Sequence, residues 1–183
     1  MTSISNSVPA GIRIYDCFLF NNELDILELK LKEMDDGIDV FVIGEAPRTF
    51  KGTPKPMLLK ENWDRYKQWH HKIRYIEIDI PADPDPWVNE TKDREELKRG
   101  LYDAQPDDII ICSDADEIYR ADTMAQMRKL PEVTSFDLRM PQFIYKFNNW
   151  HYNWVTADDI QVSWHCPCLA TRFSNLGGIE EQR

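Results

Sequence analysis

The chain is short of basic side chains, of cysteine and of long apolar runs, and each shortage narrows what it can be. Only 22 of its 183 residues are Lys or Arg, against 32 Asp and Glu, giving a formal net charge of −10. Binding to nucleic acid needs clustered positive charge, so this balance argues against nucleic acid as a partner. It leaves room for a phosphorylated ligand, because a divalent cation held by carboxylates can bridge an acidic protein to a diphosphate. No stretch approaches the ~20 consecutive apolar residues of a bilayer span. Met1 to Gly11 has neither the basic start nor the apolar run of a secretory signal and reads as a disordered leader. Of the four cysteines, Cys17 and Cys112 sit in apolar strand-like runs and read as buried thiols. Cys166 and Cys168 flank a proline beside His165, but no four-ligand zinc set assembles around them. A reduced, cytoplasmic setting is the resulting expectation.

What is present is a core-forming chain, 42% hydrophobic, and residues 12–183 read as one domain. Ile12 to Phe20 is an apolar, β-prone run. Asn22 offers a helix N-cap, with Asp25 in the capping-box position. Leu24, Leu27, Leu31 and Met34 then trace one helical stripe, and Gly37 is a stop signal. Asp39 to Glu45 is nearly continuous apolar sequence, as expected of a strand covered on both faces. The first 45 residues therefore read as a β-α-β unit with parallel strands. A proline-rich loop, a short aromatic helix over Trp63 to His71, a strand over Lys72 to Ile80 and a second proline-rich loop follow. Asn89 to Ala104 reads as a helix with Leu97, Leu101 and Ala104 inward. Asp107 to Cys112 reads as a strand, and Met124, Met127 and Leu130 as the inner side of a third helix. Val133 to Phe147 reads as antiparallel additions, and the chain end as irregular. This alternation predicts an α/β fold with an open mixed sheet, mainly parallel and flanked by helices. Ligands of such sheets bind beyond the carboxyl ends of the strands, a rule that places Glu45 and the turn Asp114–Glu117 on one rim.

An Asp-x-Asp pattern alone says little: with 19 Asp in 183 residues, roughly two arise by chance, and two are present. Asp83 and Asp85 lie in a proline-rich loop and read as solvated. Asp114 and Asp116 directly follow the most apolar short strand. In an extended turn, residues two apart point the same way, so both carboxylates can face one cation, and hard oxygen ligands suit Mn²⁺ or Mg²⁺. The competing reading is a solvated acidic turn that caps the next helix. A cation held there would bind the diphosphate of an activated donor and offset charge on the leaving group.

Arg94 stands on the apolar stripe of its helix, where it can pair with Asp114, reach donor phosphates or simply snorkel. Glu45, at a strand end, is either a ligand for a sugar hydroxyl or an exposed charge. The aromatics between Phe143 and Phe147 read as core, whereas Trp150 or Trp154 can offer a flat face to an acceptor sugar. Asp158 and Asp159 are candidates for the carboxylate base that inverting transfer needs.

Several ordered motifs carry a family resemblance. Tyr15-Asp16-Cys17-Phe18-Leu19-Phe20-Asn21-Asn22-Glu23-Leu24-Asp25 is followed by Phe41-Val42-Ile43-Gly44-Glu45, Thr49-Phe50-Lys51-Gly52, Lys55-Pro56 and Arg94-Glu95. The series ends in Asp107-Asp108-Ile109-Ile110-Ile111-Cys112-Ser113-Asp114-Ala115-Asp116-Glu117-Ile118. Over about residues 12 to 150 the chain resembles glycosyltransferase family 17. The resemblance implies a GT-A-like fold, a UDP-sugar donor and inverting transfer of an N-acetylglucosamine-like sugar to a glycan hydroxyl. It also implies that Asp114 and Asp116 form the family's metal-binding element. Tyr119 stands where the family usually has proline. Relatives carry a further C-terminal segment, so the chain is expected to be short at that end, which makes a non-catalytic nucleotide-sugar binder the first alternative. A phosphohydrolase with Asp114 as nucleophile is the second, although such enzymes usually place the motif on their first strand.

Overall fold

The computed structural model describes residues 11–138, 152–153, 162–163 and 168–179. The chain runs through β1 (Ile14–Leu19), α1 (Leu24–Met34), β2 (Val40–Glu45), a four-residue α2 (Leu58–Glu61) and a 3-10 segment over Trp63–Trp69. It continues through β3 (Ile73–Glu77), α3 (Pro86–Glu96), a 3-10 extension over Leu97–Leu101, β4 (Ile109–Cys112), α4 (Ala121–Met127) and β5 (Ser135–Leu138). Two short strands, β6 (Tyr152–Asn153) and β7 (Val162–Ser163), pair as a separate antiparallel ribbon, and β8 (Cys168–Arg172) follows.

Six strands form one sheet in the order β3-β2-β1-β4-β8-β5. The first four are mutually parallel, and β8 runs antiparallel to both β4 and β5. The expected α/β class and mainly parallel open sheet are thus observed. Strand residues alternate between two apolar layers. Ile14, Phe18, Phe41, Ile43, Ile109 and Ile111 pack with Leu27, Leu31 and Met34 of α1 and with Met124 of α4. Tyr15, Cys17, Val42, Ile110 and Cys112 pack with Leu97 and Leu101 on the opposite side. Ile109, Ile110 and Ile111 are all buried, each contributing roughly 1.5–3 kcal/mol of transfer free energy. Cys17 and Cys112 are buried free thiols, neighbours across the β1–β4 register.

Several local expectations are corrected. Asn22 does not cap α1. Glu23 is the N-cap residue, and its carboxylate accepts from the backbone N–H groups of Asn21 (3.0 Å) and Asn22 (2.9 Å). Gly37 does stand just past α1, but not because of a left-handed φ. A Cβ there would lie 2.7 Å from Cγ of Met124, so α4 packs directly on its backbone. The helix expected over Asn89 to Ala104 starts at Pro86, as α3. Asp85 caps it by accepting from the Trp87 N–H at 3.0 Å, with Pro86 in the first turn, so Asp85 is a helix cap rather than a merely solvated loop residue. Leu130 lies past the end of α4 and is 41% exposed. The chain end is not wholly irregular, since β8 is inserted between β4 and β5.

Candidate functional site: a cleft at the carboxyl edge of the sheet

Strand order reverses at β1. The chain builds β2 and β3 to one side of it and then returns to place β4 on the other. A crevice opens at the carboxyl ends of strands flanking such a point. Here it is a cleft of about 360 Å³, within the range of small-molecule sites. Phe20 and Asn21 line it from the end of β1. Arg48, Thr49 and Phe50 come from the loop after β2, Glu90, Asp93 and Arg94 from α3, and Asp114 and Asp116 from the turn after β4.

The acidic turn alternates. Ala115 and Glu117 are buried, Asp114 is half-buried and Asp116 is exposed. The Glu117 carboxylate turns inward and accepts from the Asp114 N–H (2.9 Å) and the Tyr119 hydroxyl (3.2 Å). Asp114 Oδ1 lies 2.8 Å from Nη2 of Arg94, whose guanidinium is only 3% exposed and also bonds Glu90 Oε1 at 2.9 Å. Of the roles open to Arg94, the ion pair with Asp114 is therefore the one observed, and it places the guanidinium on the wall of the cleft. Asp116 has no hydrogen-bond or ion-pair partner among the described residues.

These residues fit a divalent cation in one particular way. Among the described residues no cluster of three or more His, Cys, Asp or Glu side chains is placed to enclose a metal. The turn instead presents two carboxylates on one wall of an open cleft. That donor set suits Mg²⁺ or Mn²⁺, which keep several waters and complete their shell with substrate phosphates. It does not suit a closed structural site.

The cleft is braced by groups that the sequence reading did not single out. Arg48 and Asp93 make a buried two-pronged pair, Nη2–Oδ1 at 2.9 Å and Nη1–Oδ2 at 3.2 Å. Burial pushes the Asp93 carboxyl up, and Arg48 draws it back. The buried Asn89 ties the loop after β2 to the start of α3, donating to Phe50 O at 2.7 Å and Asp83 O at 2.8 Å. Lys30 of α1 and Asp16 of β1 are completely buried beneath the acidic turn. The Lys30 ammonium donates to Ser113 Oγ (2.8 Å), Asp114 O (2.8 Å) and Glu117 O (2.9 Å). Ser113 Oγ donates in turn to Asp16 Oδ1 at 2.5 Å. Asp16 Oδ2 stands 3.1 Å from the ammonium as an ion-pair partner, while three other acceptors match the ammonium's three N–H donors. Burial raises the Asp16 carboxyl above its ordinary range, and Lys30 and then Ser113 oppose that shift. A signal for these residues existed. Lys30 lies on the Leu27–Leu31–Met34 stripe as Arg94 lies on its own, and Asp16 interrupts an apolar strand.

Glu45 needs correction on both readings. It is neither exposed nor a lining residue of the cleft. Its buried carboxylate accepts from Leu59 N (3.0 Å), Lys60 N (3.3 Å) and the Tyr75 hydroxyl (2.9 Å), which fastens α2 to the sheet. Burial, and next this hydrogen bond, push the Tyr75 phenol up. Trp150, Trp154, Asp158, Asp159, His165 and Cys166, the Phe143–Phe147 aromatics and the first ten residues of the expected leader lie outside the described residues.

The family model described as Glycosyltransferase family 17 matches residues 5–164. Beta-1,4-mannosyl-glycoprotein 4-beta-N-acetylglucosaminyltransferases of Rattus norvegicus and Homo sapiens are each 28% identical to the chain over 145 residues. Those matches take in 74% of this chain and 27% of the relatives, so the chain spans about a quarter of their length. A mannosyltransferase from Pyrobaculum calidifontis, solved in complex with GDP-Man and Mn²⁺, superposes at a TM-score of 0.48 and 15% identity. That match covers 75% of this chain and 39% of the other.

Proposed function

Since the chain belongs to glycosyltransferase family 17, we propose that its cleft binds a UDP-sugar with Mn²⁺ or Mg²⁺ and passes an N-acetylglucosamine-like sugar to a glycan hydroxyl with inversion. The observation that carries this reading is the placement of Asp114 and Asp116 together on the wall of a cleft at the strand-order reversal. The two carboxylates would hold the divalent ion. Bound there, that ion supplies positive charge to offset what builds on the departing diphosphate. Arg94 holds Asp114 in place through Oδ1 and keeps a permanent positive charge on the cleft wall. Arg48 and Lys55 border the same space but are paired with Asp93 and Glu45, so the charge that would draw a diphosphate into this acidic cleft is that of the divalent ion. The apolar lining from Leu19, Phe20, Phe50 and Ile78 suits the flat faces of a nucleoside and excludes water around the charged groups. The acceptor hydroxyl must lose a proton to a carboxylate base, and Asp158 and Asp159 are the candidates for that task.

Calorimetry of UDP with and without Mn²⁺, on the native chain and on Asp116→Ala, tests this reading. The native chain should bind UDP more tightly with Mn²⁺, and the variant should lose that gain. Equal metal-coupled binding in both would overturn it. UDP binding with no sugar transfer or donor hydrolysis would instead favour a nucleotide-sugar binder. A thermal-shift screen of UDP-, GDP- and CMP-sugars with Mn²⁺ identifies the donor class directly.

A further inference from the structure

We infer that Lys30 is a positioning residue for the acidic turn: its buried ammonium, braced by Asp16 and Ser113, sets the direction in which Asp114 and Asp116 face the cleft. The inference rests on the metal-dependent donor reading above and assigns part of its geometry to residues that do not line the cleft.

An ammonium has three N–H donors and no acceptor. Around Nζ the chain supplies three acceptors within 2.9 Å, Ser113 Oγ and the carbonyls of Asp114 and Glu117. The match between donors and acceptors is complete. The remaining neighbours are a carboxylate oxygen of Asp16 at 3.1 Å and the ring of Phe18, whose centroid is 4.2 Å away, both favourable to positive charge. Two of the three acceptors are the carbonyls at the ends of the Asp114–Glu117 turn, which is itself closed by a bond from Glu117 N to Asp114 O at 3.1 Å. One buried cation therefore grips both ends of the turn from beneath. With the carbonyls drawn inward and Ala115 and Glu117 buried, the side chains of Asp114 and Asp116 are left on the cleft side. Asp16 and Ser113 serve the cation rather than the ligand. Asp16 supplies the counter-charge from the adjacent strand, and Ser113 passes one hydrogen bond from the ammonium to it. A buried charge set is costly unless every member is satisfied, and an apolar pair of similar volume would hold the core as well. Holding two carbonyls at the edge of the cleft is a task such an apolar pair cannot perform.

The test separates turn geometry from folding. Lys30→Met alone strands the Asp16 carboxylate, so the informative variant is Lys30→Met with Asp16→Asn, which removes both charges and keeps their volumes. Binding of UDP alone in chelator and of UDP with Mn²⁺ is measured by calorimetry, and Mn²⁺ binding to the protein is also read from the loss of the free-ion resonance. Metal-free UDP affinity should stay at the native level while Mn²⁺ affinity falls about 10- to 100-fold, the range set by supporting groups around metal ligands. A purely structural role would weaken both in parallel or neither. Native Mn²⁺ affinity in the folded double variant would overturn the inference. If the double variant does not fold, Ser113→Ala decides, since it removes one bond to the ammonium and one to Asp16 but leaves those two charges paired: weaker Mn²⁺ binding with metal-free UDP affinity at the native level supports the inference, and any other outcome refutes it. A native chain showing no Mn²⁺-coupled UDP binding overturns the donor reading itself, and this inference with it.

Discussion

Replacing Glu45 with alanine tests whether this residue holds the structure or the ligand. The deletion removes the acceptor of two backbone N–H groups, Leu59 and Lys60, and of the Tyr75 hydroxyl. Leaving a buried donor without an acceptor costs about 1–3 kcal/mol for each group. Two of the three bonds are only partly buried, and Lys60 N lies at 3.3 Å, so water can relieve part of the loss. The sum is about 3–5 kcal/mol, a large share of the 5–15 kcal/mol that holds an ordinary domain together. At about 2–4 °C per kcal/mol for a chain of this size, the melting temperature should fall by roughly 6–20 °C. Glu45→Gln keeps one acceptor oxygen and should lose only about 1–2 kcal/mol. Thermal and urea denaturation give the stability, and calorimetry with UDP and Mn²⁺, well below the melting range, gives the affinity. Affinity should change far less than stability, because the Glu45 side chain does not line the cleft and Lys55, its 3.5 Å partner that does, keeps its own charge. A Glu45→Ala protein that melts like the native chain yet loses its donor affinity would refute this assignment.

Gly100→Ala should destabilise by about 1–3 kcal/mol in urea unfolding. Its Cβ would sit 2.3 Å from Cγ1 and 2.9 Å from Cγ2 of the stiff Val42 side chain, and Val42→Ala in the same protein should restore much of the loss. Arg48→Met strands the buried Asp93 carboxylate and should cost about 3–5 kcal/mol, whereas Arg48→Met with Asp93→Leu should cost markedly less by the same assay. Arg74 first, then Arg13 and Tyr15, hold the Asp103 carboxyl well below its ordinary value of 3.8. A depressed folded value means that this stabilisation is present above the unfolded value and is lost as pH falls below about 4. Melting temperatures taken from about pH 6 to about pH 3 should therefore fall less steeply for Asp103→Asn than for the native chain.

The framework could be read from the chain because it is written in local periodicity. Continuous apolar runs mark β1, β2 and β4, and the Leu27–Leu31–Met34 stripe marks α1. Asp114 and Asp116 could be placed because they immediately follow β4, so strand and site are joined by the backbone itself. Family membership followed from long ordered motifs of the same kind. Periodicity says which face a residue occupies, and it is silent on what stands opposite. Asp16, Lys30, Asp93 and Arg94 all occupy inward positions in their elements, which signals that each needs a partner. Only the folded chain shows that Lys30 reaches Ser113 and Glu117, and that Arg48 pairs with Asp93, 45 residues away. Glu45 was placed correctly at its strand end, but the direction of its side chain depended on α2 arriving above it. Likewise, nothing local to Cys168–Arg172 states that it enters the sheet between β4 and β5, since strand pairing is a relation between distant segments. The sequence alone determined the elements, their buried faces and the acidic turn. The tertiary structure decided which charges meet, because a buried charge is stable only where another part of the chain brings its counterpart.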